Sequence, residues 1–307
     1  MPTVESPPPT VANWLMILAL GLIWGGTFLV IELALQGITP FWLAAARIGF
    51  AALLMLVIWV ARGARLFNNS ITRKDLGRLT AVGALSSAVP FMLLSWGQQF
   101  VTSGFAGVSM AAVALMVLPL AHFFVAGEHL NLRKSFGFIL GFCGVWILIG
   151  AQAFESTGHS MEVAGRIACL GAAGCYALSS VQMRLLPPID PIGLSTVTLL
   201  IGAILVVGCA FVVEGVPPAP NASTLGYLAF LGLIPTAGAN LLRVLVIRSV
   251  GPTFMSLTNY QVPIWSVFLG FVFLGEPLRI SMLIALALIL AGVALSQWGA
   301  LRRLLRS

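Results

Sequence analysis

The sequence predicts an all-α integral membrane protein in which ten transmembrane helices form two inverted repeats of five helices. Three observations lead to this prediction. The 307 residues are 59% hydrophobic and only 8% charged, with a mean hydropathy of +1.04, whereas about a quarter of the residues in a soluble globular protein are charged. Ten apolar stretches approach the roughly 20 residues that a spanning helix needs. A pattern of glycine and glutamate near the middle of the chain returns near its end.

The ten apolar stretches follow one another with short connections, several of them under ten residues long. Little of the chain therefore lies outside the bilayer, and no soluble catalytic domain is expected. The predicted helices cover approximately residues 13–34, 41–60, 77–97, 101–125, 134–152, 163–183, 190–213, 224–248, 252–274 and 280–299.

The glycine and glutamate pattern indicates that the chain consists of two copies of one unit. In each copy a Gly-Glu pair closes an apolar helix, and a Gly-Val pair lies inside the next helix after the same number of residues. The offset of 148 residues is close to half of the chain, which is typical of an internal duplication. We therefore predict one repeat at residues 1–155 with helices 1–5 and another at 156–307 with helices 6–10. The pairs are Gly127-Glu128 with Gly144-Val145, and Gly275-Glu276 with Gly292-Val293.

An odd number of helices in each copy predicts the relation between the copies. After five crossings the second copy must enter the membrane from the opposite side, which is the definition of an inverted repeat. Pro40 and Pro191 each open the second helix of their copy, in agreement with this relation.

The distribution of basic residues predicts the orientation. Twelve lie in loops or in the tail on one side, and only two flank loops on the other side. Cytoplasmic loops of membrane proteins carry the excess of Lys and Arg, so both termini are predicted to be cytoplasmic in a multi-pass protein of the cell's inner membrane. The twelve are Arg62, Arg65, Arg73, Lys74, Arg78, Arg133, Lys134, Arg184, Arg248, Arg302, Arg303 and Arg306, and the two are Arg166 and Arg279.

Composition also excludes several classes of partner and cofactor. The net charge of +7 is explained by the orientation signal, so the lipid bilayer is the predicted partner and nucleic acid is not. Four cysteines within apolar runs read as packing residues, and the three histidines, His122, His129 and His159, lie at different depths without an acidic cluster. No metal, cofactor or catalytic residue is predicted.

Prolines inside helices are the first indication of a binding site. A proline removes one backbone donor and frees the carbonyl four residues earlier. Prolines occur here in the third and fourth helices of both copies, and interrupted helices at equivalent places in inverted repeats indicate a substrate site at mid-membrane. The freed carbonyls belong to Ser86, Leu115, Leu231 and Asn259, and the prolines are Pro90, Pro119, Pro235 and Pro263.

Polar and aromatic side chains within the same helices are the second indication. An amide within the membrane needs a polar partner, so it faces protein or water; it either lines a site or bonds two helices together. Aromatic side chains at mid-depth either line an apolar cavity or pack. The predicted substrate-binding residues are Trp24, Phe28, Tyr176, Asn240, Asn259 and Tyr260. Two interpretations of Arg47 stay open, extension of its charge to the interface or pairing with a substrate carboxylate.

The motifs resemble those of the EamA-type transporters of the drug/metabolite transporter superfamily. They are Leu22-Ile23-Trp24-Gly25-Gly26-Thr27-Phe28, the two Gly-Glu and Gly-Val pairs, and Pro263. The resemblance spans essentially the whole chain as two EamA repeats. It implies a central cavity, alternating access and export of small metabolites. The segment 116–124 is similar to the branch that exports aromatic amino acids. The counterpart of Pro263 is Leu115, with a proline four residues later at Pro119, so the family's helix 4 contacts are not carried over.

The predicted function is therefore secondary transport that exports small amphipathic metabolites, chiefly aromatic amino acids. Export of drugs or nucleotide sugars by a protein of the same superfamily is the alternative. A channel requires a polar stripe or charged ring, and an intramembrane enzyme requires a nucleophile-base pair or metal cluster at one depth; neither pattern is visible. The Gly137-x3-Gly141 spacing indicates either a packing face or the face of a homodimer.

Overall fold

The computed structural model describes residues 9–67, 72–125, 130–150, 160–299 and 302. Within these ranges it contains ten helices and no β-strand, apart from an isolated bridge between Phe67 and Ile189. The predicted fold class is confirmed. Several predicted features lie outside the described residues, namely Gly127-Glu128, His129, His159, Arg303, Arg306 and the repeat boundary at residues 155 and 156.

The ten helices agree with the predicted spans to within a few residues. Seven of them, α1–α4 and α6–α8, are long and apolar enough to cross a membrane by length and composition. They are α1 Val11–Leu35, α2 Pro40–Ala61, α3 Arg73–Gly97, α4 Ser103–Phe124, α5 Leu132–Gly150, α6 Glu162–Arg184, α7 Pro191–Val213, α8 Ala222–Val250, α9 Pro252–Met255 with Thr258–Leu274, and α10 Ile280–Ser296.

The helices begin where side chains can satisfy their first backbone N–H groups. Asp190 accepts bonds from the backbone of Ile192 and Gly193 at the start of α7. Asn221 accepts a bond from the Thr224 N–H at the start of α8. These are ordinary N-caps, and they explain why polar residues recur between the apolar stretches.

The packing of the helices repeats between the two halves. The second helices of the halves pack on each other as α2 on α7, the fourth helices as α4 on α9, and the fifth helices as α5 on α10. The pair α1 with α9 likewise corresponds to α6 with α4. This exchange of partners is the pattern of two inverted repeats.

We name the two ends of the bundle by their residues. The basic end carries Arg62, Arg65, Arg184 and Arg248, and the Glu276 end lies at the other side, where α9 finishes. Because the helices alternate in direction, α1, α3, α5, α7 and α9 run from the basic end to the Glu276 end.

The glycines of α5 pack inside the chain. A side chain at Gly137 would place its Cβ 2.6 Å from the Gly292 carbonyl oxygen on α10. Gly141 likewise approaches Leu115 of α4. The predicted packing face is confirmed, so the predicted homodimer stays a prediction that needs a different surface.

Two helices contain π-helical segments at equivalent positions. They cover Ala84–Ala88 in α3 and Gly232–Gly238 in α8, and they begin 148 residues apart, which is the offset of the sequence repeat. Such local widening is frequent at functional sites. Pro90 follows the first segment and Pro235 lies inside the second, so the structure deforms both helices where the prolines predicted it.

Candidate functional site

The π-helical segment of α8 occupies the middle of the bundle. Pro235 lacks an N–H, so the Leu231 carbonyl loses its helical partner. The Thr236 hydroxyl donates a bond of 2.8 Å to that carbonyl. The Leu231 carbonyl thus already accepts one bond from the residue next to the proline, and its second lone pair stays available. Binding of substrate to this carbonyl stays a prediction.

Trp24 and Asn240 lie on opposite flanks of this segment. The Trp24 indole donates a 3.0 Å bond to the Pro235 carbonyl. The Asn240 amide donates a 3.0 Å bond to the Ser195 hydroxyl of α7. Both side chains are half-buried, so each is fixed by one bond and keeps part of its surface accessible.

Arg47 enters the same region from α2 and does not extend to either interface. It is 6% exposed, and its Nε donates a 2.9 Å bond to the Thr236 hydroxyl. Its guanidinium carbon lies 3.9 Å from the centre of the Phe91 ring, a cation–π arrangement. Tyr176 of α6 packs against the hydrophobic cluster that contains Phe91. Of the two interpretations of Arg47, extension to an interface is wrong.

Phe28 lies closer to the Glu276 end than the residues around Thr236. It is 5% exposed and belongs to a hydrophobic cluster with Phe105 and Ala106 of α4. Its carbonyl accepts a 2.9 Å bond from the Gln98 amide of α3. The structure thus places Phe28 in a packed region between α1, α3 and α4.

Asn259 and Tyr260 lie on the half of α9 nearer to the basic end. Asn259 is exposed, although it shares a helical face with the buried residues Pro263, Ser266 and Gly270. Tyr260 is half-buried, and its hydroxyl is enclosed without a partner in the described part of the chain. The interior face of α9 is therefore accessible at one end only.

The interior face of α4 likewise becomes less buried toward the basic end. Gly104, Gly107 and Ala111 recur at helical spacing and are buried, and Ala114 and Leu118 continue that face but are half-buried. Pro119 and Pro263 lie inside these two helices, which continue through them. The facing surfaces of α4 and α9 are therefore less buried toward the basic end than toward the Glu276 end.

The Glu276 end is closed by contacts between the same two helices. Gly107 lies against Ser266 so closely that a side chain at Gly107 would overlap it, and the Ser266 hydroxyl donates to the Ser103 carbonyl at 2.9 Å. Gly275 has a left-handed conformation with φ of 65°, which turns the chain after α9. Glu276 then accepts bonds of 2.7 and 2.9 Å from the backbone N–H groups of Ser103 and Gly104.

The Gly-Glu signature thus has a structural explanation. A carboxylate at the start of a helix satisfies free N–H groups and interacts favourably with the helix dipole. In the sequence Glu276 only marks the end of a helix. In the structure it belongs to the second repeat and caps α4 of the first repeat. The equivalent Glu128 lies outside the described residues.

Of the predicted substrate-binding residues, the structure brings Trp24, Tyr176 and Asn240 to the region around Thr236. Phe28 lies in the closed end, and Asn259 and Tyr260 lie on the half of α9 nearer to the basic end. The sequence did not indicate that three residues from different helices form one group, namely Arg47, Thr236 and Phe91. A lone charge within an apolar helix was the available signal for Arg47.

Comparison with known proteins identifies the family of the chain. The model of the EamA-like transporter family matches residues 13–150 and 163–298. The uncharacterized transporter YoaV of Bacillus subtilis is 24% identical over 290 residues, which cover 94% of this chain and 97% of that protein. The uncharacterized inner membrane transporter YedA of Escherichia coli K12 is 28% identical and covers 92% of this chain and 90% of its own length.

Two further similarities concern a named relative and a solved structure. A probable terminal-alkyne amino-acid exporter of Streptantibioticus cattleyicolor is 24% identical, with 92% of each chain covered. A crystal structure with 20% sequence identity superposes with a TM-score of 0.66 and covers 96% of this chain and 99% of that chain. The second similarity concerns the fold alone.

Proposed function

The chain belongs to the EamA-like transporter family, and from this premise we propose that it is a secondary transporter that exports small amphipathic metabolites, with aromatic amino acids as the principal class, by alternating access. The observation that carries the proposal is the composition of the region around Thr236. There Trp24 and Tyr176 supply aromatic surface, and Asn240 supplies a polar group, at mid-depth between the two repeats.

The two ends of the bundle support a carrier mechanism. A carrier exposes its site to one side at a time, and here α4 and α9 meet closely at the Glu276 end, whereas their facing surfaces are less buried toward the basic end. A channel needs a continuous path. The name of the Streptantibioticus relative, a probable amino-acid exporter, supports the substrate class.

Counterflow in liposomes tests the transport mode and the substrate class together. Liposomes preloaded with unlabelled phenylalanine should accumulate labelled phenylalanine transiently above its equilibrium level, because a carrier exchanges substrate and a channel does not. Trp24→Ala should lower the apparent affinity several-fold, whereas Trp14→Ala, an exposed tryptophan on the same helix, should not. Counterflow with a nucleotide sugar or a cationic drug, and none with phenylalanine or tryptophan, would replace the proposed substrate class.

We extend the proposal to orientation and repeat boundaries. The basic end faces the cytoplasm of an inner-membrane protein, because basic loops are retained there, and the relative YedA is named an inner membrane transporter. The repeats are 1–155 and 156–307, and the two segments matched by the family model fall within them.

The orientation can be tested with two matched substitutions. Ala64 at the basic end and Ala219 at the Glu276 end are both exposed. In a background without the four native cysteines, Ala219→Cys should react with an impermeant maleimide added outside the cell, and Ala64→Cys should react only after the membrane is opened. The reverse result would invert the orientation.

A further inference from the structure

Among the residues that the structure describes, two arginines lie buried between the helices, and only one of them is paired with an acid. Arg166 of α6 is 1% exposed and bonds to the Glu162 carboxylate one turn earlier. Arg47 is almost as deeply buried, yet no carboxylate of the described residues lies within ion-pair distance of it. The positive charge of Arg47 is therefore uncompensated in the part of the chain that the structure describes.

The protein holds this charge in a fixed orientation. The Nε of Arg47 donates to Thr236, and the face of the guanidinium covers the Phe91 ring. The Thr236 hydroxyl cannot turn away without losing its own bond to the Leu231 carbonyl. The guanidinium of Arg47 is thus held at its Nε edge by Thr236 of α8 and on its flat face by Phe91 of α3.

The outer edge of the guanidinium remains unused. Neither Nη atom donates to a described group, and neither is among the enclosed polar atoms that lack a partner. Both therefore retain some accessible surface. A buried charge without a partner is costly, and ionisable residues retained inside membrane helices are generally functional.

We infer that the two Nη groups of Arg47 bind the carboxylate of the transported molecule, an assignment that rests on the proposed function. The planar fork of a guanidinium matches the two oxygens of a carboxylate. Thr236 positions the fork. For the apolar part of the substrate, Tyr176 packs against the cluster that contains Phe91, and Trp24 bonds to the carbonyl of Pro235, the residue before Thr236.

The charge favours a monoanionic group over a doubly charged one. One carboxylate neutralises one arginine, whereas a diphosphate brings two or more negative charges to a region where the described residues offer a single buried unpaired cation. Uncompensated charge is expensive in such an environment. The inference therefore separates amino acids from nucleotide sugars by chemistry.

Binding to full-length protein in nanodiscs tests this assignment with two ligands and two variants. L-phenylalaninamide has an uncharged carboxamide in place of the carboxylate of L-phenylalanine, so its ammonium charge is not balanced. Arg47→Gln should weaken phenylalanine binding between about tenfold and a hundredfold, the effect of losing a charge-assisted bond. It should not weaken phenylalaninamide binding, because that ligand has no carboxylate to pair with Arg47. Arg62→Gln, at the exposed residue that follows the last residue of α2, should change neither affinity.

Two results of that experiment would overturn the inference. Equal losses for both ligands would mean that Arg47 shapes the site without binding the carboxylate. Unchanged phenylalanine affinity in Arg47→Gln would mean that the carboxylate binds elsewhere.

Thermal unfolding of the ligand-free protein supplies an independent readout. Arg47→Met removes a charge without an ion-pair partner, so its unfolding temperature should equal or exceed that of the wild type. Arg166→Met removes the ion pair of Arg166 with the buried Glu162 carboxylate and should lower the unfolding temperature. A fall in Arg47→Met as large as that in Arg166→Met would contradict the inference, because Arg47 would then be structural.

The ligand set also distinguishes this inference from the proposed function. Arg47-dependent binding of phenylacetate without binding of any amino acid would retain the carboxylate site and remove the proposed substrate class. Counterflow of phenylalanine with equally tight binding of phenylalaninamide would retain the transporter and remove the carboxylate site. Binding of neither carboxylate by the wild type would overturn both.

Discussion

The two ends of the α4–α9 pair use the same helices in different ways. At the Glu276 end small residues allow the backbones to meet, as at Gly107 and Ser266, and a carboxylate joins one helix to the start of the other. At the basic end the corresponding faces carry larger side chains such as Leu118 and Asn259, which remain accessible. Within the described residues, the two ends of this pair therefore differ in the size of the facing side chains and in the cap that Glu276 provides.

The largest expected difference concerns cysteine labelling on this face. Asn259→Cys should react with a maleimide that enters from the basic end, and Ser266→Cys, two turns further along the same face, should be protected from both sides. Because the second position is buried, we expect the labelling rates to differ by about a hundredfold or more, in line with rare local opening. Equal rates would show that the closed contact is absent in the membrane.

A side chain at Gly107 should prevent the Glu276 end from closing. Gly107→Val overlaps Ser266, and overpacking of a close contact costs about 1–3 kcal/mol, so counterflow should fall roughly tenfold or more. The double variant with Ser266→Gly should recover part of the activity, since it returns space to the same contact. Gly49→Val, where nothing lies within 4 Å, is the matched control. No recovery in the double variant would mean that Gly107 acts through another neighbour.

Removal of the Glu276 cap should destabilise the closed end. Glu276→Ala leaves two N–H groups of α4 without their acceptor, which should cost about 1–3 kcal/mol of unfolding free energy. Glu214→Ala is a matched control, because Glu214 caps α2 at the same end through Phe41 and Trp42. Both variants should lose stability, but only Glu276→Ala should increase the labelling of Ser266→Cys. Equal labelling in the two variants would mean that capping does not control access.

The smallest expected effect concerns Asn259. If its amide lines the opening and bonds to the substrate, Asn259→Ala should weaken phenylalanine binding by about 0.5–1.5 kcal/mol, or several-fold, with little change in the unfolding temperature. The measurement is affinity per folded molecule. A loss of stability with unchanged affinity would assign Asn259 to contacts between helices.

The fold could be predicted from the sequence because length, hydropathy and repeat offset are properties of the chain itself. The helix bounds, the two copies and the deformed α3 and α8 followed from apolar runs and proline positions. The depth of Phe28 could not be predicted in this way, because it depends on how α1 packs against α3 and α4. A sequence position within a helix gives only an approximate depth.

The candidate site was harder to predict because its contacts join residues that are far apart in the chain. Glu276 was visible as a repeated residue, but its donors at Ser103 and Gly104 lie in the other repeat. Whether the Leu231 carbonyl accepts a bond from within the protein depends on the rotamer of Thr236. Whether Arg47 reached an interface or stayed buried depended on the presence of Thr236 and Phe91 opposite it.

The cap at Glu276 also has a consequence for the energetics of the transport cycle. Opening that end requires two charge-assisted bonds to be given up, and together they contribute about 1–3 kcal/mol. Loss of both without replacement changes the ratio of the two access states by about fivefold to a hundredfold. A substrate can offset that difference only through contacts that it makes more strongly in the second state. The ligand-free carrier should therefore wait with its site open at the basic end, and substrate binding should set the rate at which the other end opens.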